Sequence, residues 1–90
     1  MTLAEDAVIV QYKEQGFVRV VIRDDEPNFS YPLHFHNYPL ALQVLHGSLT
    51  IVVNNHPTLV EAGGHAMIQA NAMHSVTIGP AGCRYIHAEK

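Results

Sequence analysis

Apolar and polar positions in this chain alternate over short distances, and Gly, Pro, Asn or Asp interrupts them every few residues. That is the pattern of half-buried strands joined by tight turns. The run 17–23, "FVRVVIR", shows it best: Val18, Val20 and Ile22 face one way, Arg19 and Arg23 the other. "AVIVQY" at 7–12 reads as a strand closed by "KEQG", and "DDEPN" at 24–28 as a turn. "YPLHFH" and "LALQVLH" come next, separated by residues 37–39. "SLTIVV" and "HPTLVE" flank Asn54-Asn55, a pair that tolerates positive φ and so predicts a two-residue hairpin. Gly63-Gly64 ends that hairpin, and "AMIQA", "HSVTI" and "CRYIHA" follow, with "GPAG" at 79–82 as a last tight turn. No segment sustains a helical period for three turns. The pattern predicts an all-β sandwich or barrel, a single domain over residues 1–90. Its eight or nine short strands must pair or close to hide their edges.

Composition narrows the class. Apolar residues make up 48% and charged ones 14%, which suits a globular chain rather than a disordered one. So short a chain has a small core, and so little charge leaves surface for a partner subunit, so a homodimer is expected. The net charge is −3 and the five Lys and Arg are scattered, which offers nucleic acid no basic track. No apolar run reaches the length of a membrane span. Acidic residues near the start stand where a signal peptide would be basic, and the single Cys83 excludes an intrachain disulfide. A cytoplasmic location is expected.

Histidine is the anomaly, with seven residues spread through the chain. His34 and His36 are two apart and project together if their run is a strand. Alternation does not say to which face, because Leu33 and Phe35 between and beside them are apolar too. His74 shares a face with Val76 and Ile78 and so points inward, where an imidazole needs a hydrogen-bond partner or a metal. Taken singly, a core histidine bonded to a backbone carbonyl accounts for it. Taken with the pair, three histidines make a three-nitrogen site of the kind zinc, iron, nickel or copper accepts. His46 is expected at a rim, His56 and His65 in solvent, and His87 at a frayed end or a subunit contact.

The spacing of these residues carries a resemblance. Asn28-x5-His34-x-His36-x3-Leu40-x6-Gly47 and Gly63-x5-Gln69-x-Asn71-x2-His74-x3-Ile78 match, in spacing, the two motifs of the cupin superfamily. The chain resembles that superfamily over roughly residues 27–78. The resemblance implies a cupin-type double-stranded β-helix, or jelly-roll, barrel. It also implies a divalent transition metal (Fe, Zn, Ni, Mn or Cu) on His34, His36 and His74. Leu40 stands where the family's motif has a ligating glutamate, and Gln43 has the wrong parity to replace it. Asn28 and Asn71 stand at motif glycines, and asparagine also visits the left-handed region.

Three neutral imidazoles leave an ion's double charge uncompensated, which favours an anionic ligand. Some cupin iron dioxygenases use three histidines and no carboxylate. The resemblance therefore implies a metal-dependent, dioxygenase-like enzyme acting on a small anionic molecule. It equally implies a second reading, a non-catalytic binding or sensing module for a sugar-like ligand with a degenerate metal site. A purely structural barrel is the third. Tyr38 is placed at the mouth or packed on the rim, and Cys83 reads as a small buried hydrophobe. Tyr85 and Arg84 reach a ligand only if the last strand lines the pocket, and Glu61 at its turn has no assigned role.

Overall fold

Two long strands, β3 (Leu40–Val53) and β6 (His74–Glu89), run antiparallel for almost their whole length. They frame a computed structural model that describes residues 3–90. Around them lie α1 (Leu3–Glu14), β1 (Arg19–Asp25), β2 (Ser30–His34), β4 (His56–Glu61) and β5 (His65–Ile68). Each long strand changes sheet part-way. Residues 40–47 of β3 pair with 83–89 of β6, with β5 and β1 on their outer sides. Residues 49–53 pair with 74–78, with β4 and β2 outside them. Two sheets therefore face each other, ordered β1-β6-β3-β5 and β2-β6-β3-β4, and share their middle strands.

The eight or nine short strands expected from the sequence are six among the described residues. "LALQVLH" joins "SLTIVV" in β3, and "HSVTI" joins "CRYIHA" in β6. "GPAG" is no chain reversal. Between the Leu49–Ile78 and Gly47–Cys83 pairs, residues 79–82 bulge out of the ladder opposite Ser48. Pro80, which has no N–H to give, is tolerated there. The bulge bends β6 from one sheet into the other. Gly47 and Gly82 meet at this bend with φ of 79° and 80°, so their backbones approach without side chains between them.

Residues 7–12 form no strand. They lie within α1, whose Glu5 and Asp6 in the first turn and Lys13 in the last suit the helix dipole. Val8, Ile9 and Tyr12 form one narrow stripe that packs with Val20, Ile22 and Phe17 over Ala41, Ile86 and Ala88. This contact, on the outer face of the β1-containing sheet, overrides the strand preference of a β-branched run. Glu5, buried at 7% exposure, accepts hydrogen bonds from Arg84 Nε at 3.0 Å and Nη2 at 3.2 Å. Tyr12 donates to Gln43 at 2.8 Å on the same face. Arg84 and Gln43 therefore belong outside the barrel.

Asn54 and Asn55 have φ of 50° and 65°, the two positive values that the expected hairpin requires. The inner faces of both sheets supply the main core: Leu42, Val44, Leu49, Ile51, Ile78 and Tyr85 are all buried in it. Past Leu40 and Val76 the space between the sheets opens into a cavity.

Candidate metal centre

The three histidines converge at the mouth of that cavity. His34 ends β2 and is the cross-strand partner of His74, which starts β6. His36 lies beyond the end of β2, so strand parity alone does not bring it in. Its carbonyl accepts the Asn71 N–H at 2.6 Å, which ties its loop to the one preceding His74. Asn71 and Asn28 have φ of 67° and 64°, the left-handed backbone that glycine would otherwise supply. One ring nitrogen of each histidine lies within 4.8 Å of the others, and the ring centroids are 4.2, 4.9 and 5.5 Å apart. Among the described residues no other group of three or more His, Cys, Asp or Glu is close enough to hold an ion.

Hydrogen bonds fix which nitrogen each ring offers. The Nδ1 of His34 lies 2.6 Å from the Pro32 carbonyl and that of His74 lies 2.8 Å from the Ala72 carbonyl. A carbonyl only accepts, so both Nδ1 atoms carry the proton and both neutral rings keep a lone pair on Nε2. The Nδ1 of His36 lies 3.2 Å from the Tyr38 hydroxyl, which donates to Glu89 Oε1 at 3.2 Å. With the phenol proton on the carboxylate, His36 donates to the phenol oxygen and also keeps Nε2 free. Oxygen acceptors behind Nδ1 and bare Nε2 atoms in front are what ligand histidines show, and this donor set fits a divalent transition ion. Burial, then the His34 and His74 rings, hold His36 below the usual histidine range, with Glu89 working the other way. That favours the neutral, ligating form.

No protein-family profile matches this sequence, and no curated protein matches it. Solved structures do. A cupin superfamily protein of Desulfitobacterium hafniense superposes with a TM-score of 0.74 at 12% identity, over 82% of this chain and 67% of that one. A cupin-2 domain protein of Shewanella frigidimarina gives 0.69 at 18% identity, over 78% of this chain and 67% of that one. A structure of the DMSP lyases RdDddP and RnDddQII gives 0.73 at 22% identity, over 80% of this chain and 37% of that one.

The chain has the cupin fold.

Leu40, which the motif spacing set against a ligating glutamate, is 3% exposed and faces the cavity. Its cross-strand partner on β6 is Glu89. A carboxylate thus stands one strand away from Leu40, and it reaches His36 through Tyr38, on the Nδ1 side of the ring. Sequence spacing could not find it, because Leu40 and Glu89 are brought together only by the β3–β6 register. Tyr38 is a cavity residue in this bridge, not rim packing. Removing its hydroxyl in Tyr38→Phe should weaken ion binding about tenfold, the lower end of the effect of losing such a partner. Competition with a chromophoric chelator measures this, and an unchanged dissociation constant would show that the bridge does not orient His36.

The cavity has a volume of ≈ 330 Å³. β1 turns Arg19, Val21 and Arg23 toward it, while Val20 and Ile22 go under α1. The last strand does line the pocket, with Tyr85, His87 and Glu89. His87 is neither frayed nor at an edge: it is held in β6 between Val21 and Leu42. His46, His56 and His65 are exposed, as expected. Below the cavity Asp25 Oδ2 accepts from the hydroxyls of Tyr85 at 2.6 Å and Tyr31 at 2.8 Å. Burial, then Asp25 and Asp24, push the Cys83 thiol up to about 11, so it serves as packing, not as a nucleophile.

Burial, then Arg23, bring His87 down to about 4. Above the usual histidine value near 6.5 the ring is neutral folded and unfolded and adds no pH dependence. Between about 6.5 and 4 the unfolded chain takes the proton first, so stability falls as pH falls through that window. Urea unfolding of the metal-free chain from pH 7 to 4 should show this decline, shallower in His87→Gln. Equal slopes would remove His87 as a source of the decline.

Proposed function

We propose that this cupin barrel holds a divalent transition ion on His34, His36 and His74 and acts on a small anionic molecule in the adjoining cavity. One observation carries the reading: a ring nitrogen of each histidine lies within 4.8 Å of the other two, while every Nδ1 has an oxygen partner, which leaves Nε2 as the donor each ring has to offer. A divalent ion there would supply Lewis acidity, and a redox-active one electron transfer, to a molecule beside it. The chain's own part is to orient the rings from Pro32, Ala72 and Tyr38, to keep the donor set neutral at Leu40, and to place cations and phenols along the wall. Dioxygenase-like turnover is the leading chemistry, from the resemblance to three-histidine cupins. Lyase chemistry is the other reaction to assay, since a chain from a DMSP-lyase structure shares the fold over 37% of its length.

The test is elemental analysis of untagged chain as purified, then after chelation and re-addition of Fe, Zn, Ni, Mn and Cu. Close to one ion per chain is expected. No ion retained and none taken up would overturn the metal reading and leave a ligand-binding barrel with a degenerate site. The proposal includes a cytoplasmic homodimer. Leu33 and Phe35 are exposed at 62% and 58% on the edge of the β2-containing sheet, which supports a covered surface. A monomer by sedimentation at high micromolar concentration would contradict it.

A further inference from the structure

We infer that the cavity binds a small aliphatic carboxylate and that the Arg23 guanidinium grips its anionic end, with Arg19 as a second cation at the mouth. The inference deepens the metal-site reading and rests on it for the far end of the ligand. Two arginines spaced four apart on one strand share a face, and the β1 register turns that face inward, away from α1. Among the described residues the ion pairs made by arginine both belong to Arg84, on the outside of the barrel. Neither Arg19 nor Arg23 has such a partner.

The nearby carboxylates are otherwise engaged. Glu89 accepts the Tyr38 hydroxyl and lies across from Arg19 in the ladder. Asp25 takes the hydroxyls of Tyr31 and Tyr85 and does not line the cavity. The cavity lining thus holds two guanidiniums against one carboxylate, and a divalent ion on the histidines would make the excess larger. Arg23 stands beside Tyr31, whose ring also faces the cavity. The hydroxyl of Tyr31 is given to Asp25, so the donors left for the ligand are those of the guanidinium fork, which matches a carboxylate two oxygens to two N–H groups. Leu40, Leu42 and Val76 make the remaining wall apolar, which suits a short hydrocarbon skeleton. A volume of ≈ 330 Å³ is near the lower end of small-molecule sites, about 300–1,000 Å³.

The experiment titrates the full chain, metal-free and with one equivalent of Zn(II), with butyrate, butyramide and inorganic phosphate, by calorimetry and by NMR shifts. Butyrate should bind both forms, and butyramide about tenfold more weakly. Arg23→Gln should weaken butyrate by a similar factor in both forms, Arg23→Lys should recover part of the loss, and Arg84→Gln should change nothing. Circular dichroism of each variant checks that the barrel is intact. Because the arginine effect is read without metal, failure to load zinc would count against the metal reading alone. Butyrate binding no tighter than butyramide, phosphate binding tighter than butyrate, or wild-type affinity in both Arg23 variants would each overturn the inference.

Discussion

His74→Ala should empty the metal centre. His74 is 1% exposed, begins β6 and is fixed by its bond to the Ala72 carbonyl. It is therefore the most rigidly held of the three donors. His34 and His36 sit at and beyond a strand end, and two imidazoles from that segment make a weak site by themselves. Zinc sites bind with about 10–16 kcal/mol in total, so losing one ligand of three should cost on the order of a hundredfold or more in affinity. Ion content after desalting should fall from close to one per chain to near none. The rise in melting temperature that an added ion gives the wild type should vanish with it. The variant also leaves a cavity and an unpaired Ala72 carbonyl, which costs the metal-free fold about 2–3 kcal/mol. The ion-induced shift, not the melting temperature itself, is thus the decisive readout. Full ion content in His74→Ala would move the site elsewhere on the chain.

Gly47→Ala should be the most damaging single methyl group in the barrel. Gly47 has φ 79°, where an alanine already costs about 1–2 kcal/mol. Its new Cβ would fall on the Gly82 carbonyl oxygen, with the carbonyl carbon at 2.9 Å and Cys83 Cα at 3.2 Å. All three are backbone atoms at the bend where β3 and β6 pass between sheets, so relief requires moving both shared strands. A loss of about 3 kcal/mol or more is expected, a large part of the stability of a chain this small. Gly63→Ala is the matched control: its φ is 88°, yet nothing lies within 4 Å of the added carbon. Urea unfolding should separate the two by about 2 kcal/mol. Equal losses would mean that the bend yields and that only backbone strain matters.

Local patterns were legible where the physics is local. Period-two alternation gave the all-β class, Asn54-Asn55 gave a hairpin with two positive φ values, and His74, Val76 and Ile78 turned inward together as alternation required. The motif spacing of His34, His36 and His74 gave the cluster, and Asn28 and Asn71 served as left-handed residues in place of glycine. Residues 7–12 pattern as a strand yet fold as helix because their apolar stripe is three residues wide and gains its meaning from Ala41, Ile86 and Ala88 beneath it. The long strands look like separate short ones in the sequence because a bulge and a turn use the same residues, Gly and Pro, and differ only in what pairs on either side.

The sequence by itself determined the strand period, the turn chemistry and the three imidazoles. The first two depend on residues within a few positions of one another, whereas His74 stands 38 positions beyond His36 and was placed by the spacing of two separate motifs. Tertiary structure alone decided which face of β1 is inside, and so made Arg19 and Arg23 cavity residues while α1 covered Val20 and Ile22. It alone set Glu89 against Leu40, from 49 positions away, and gave His36 its carboxylate through Tyr38. Side-chain period fixes two faces but not which is the inner one. That choice belongs to the strand, sheet or helix packed against each face.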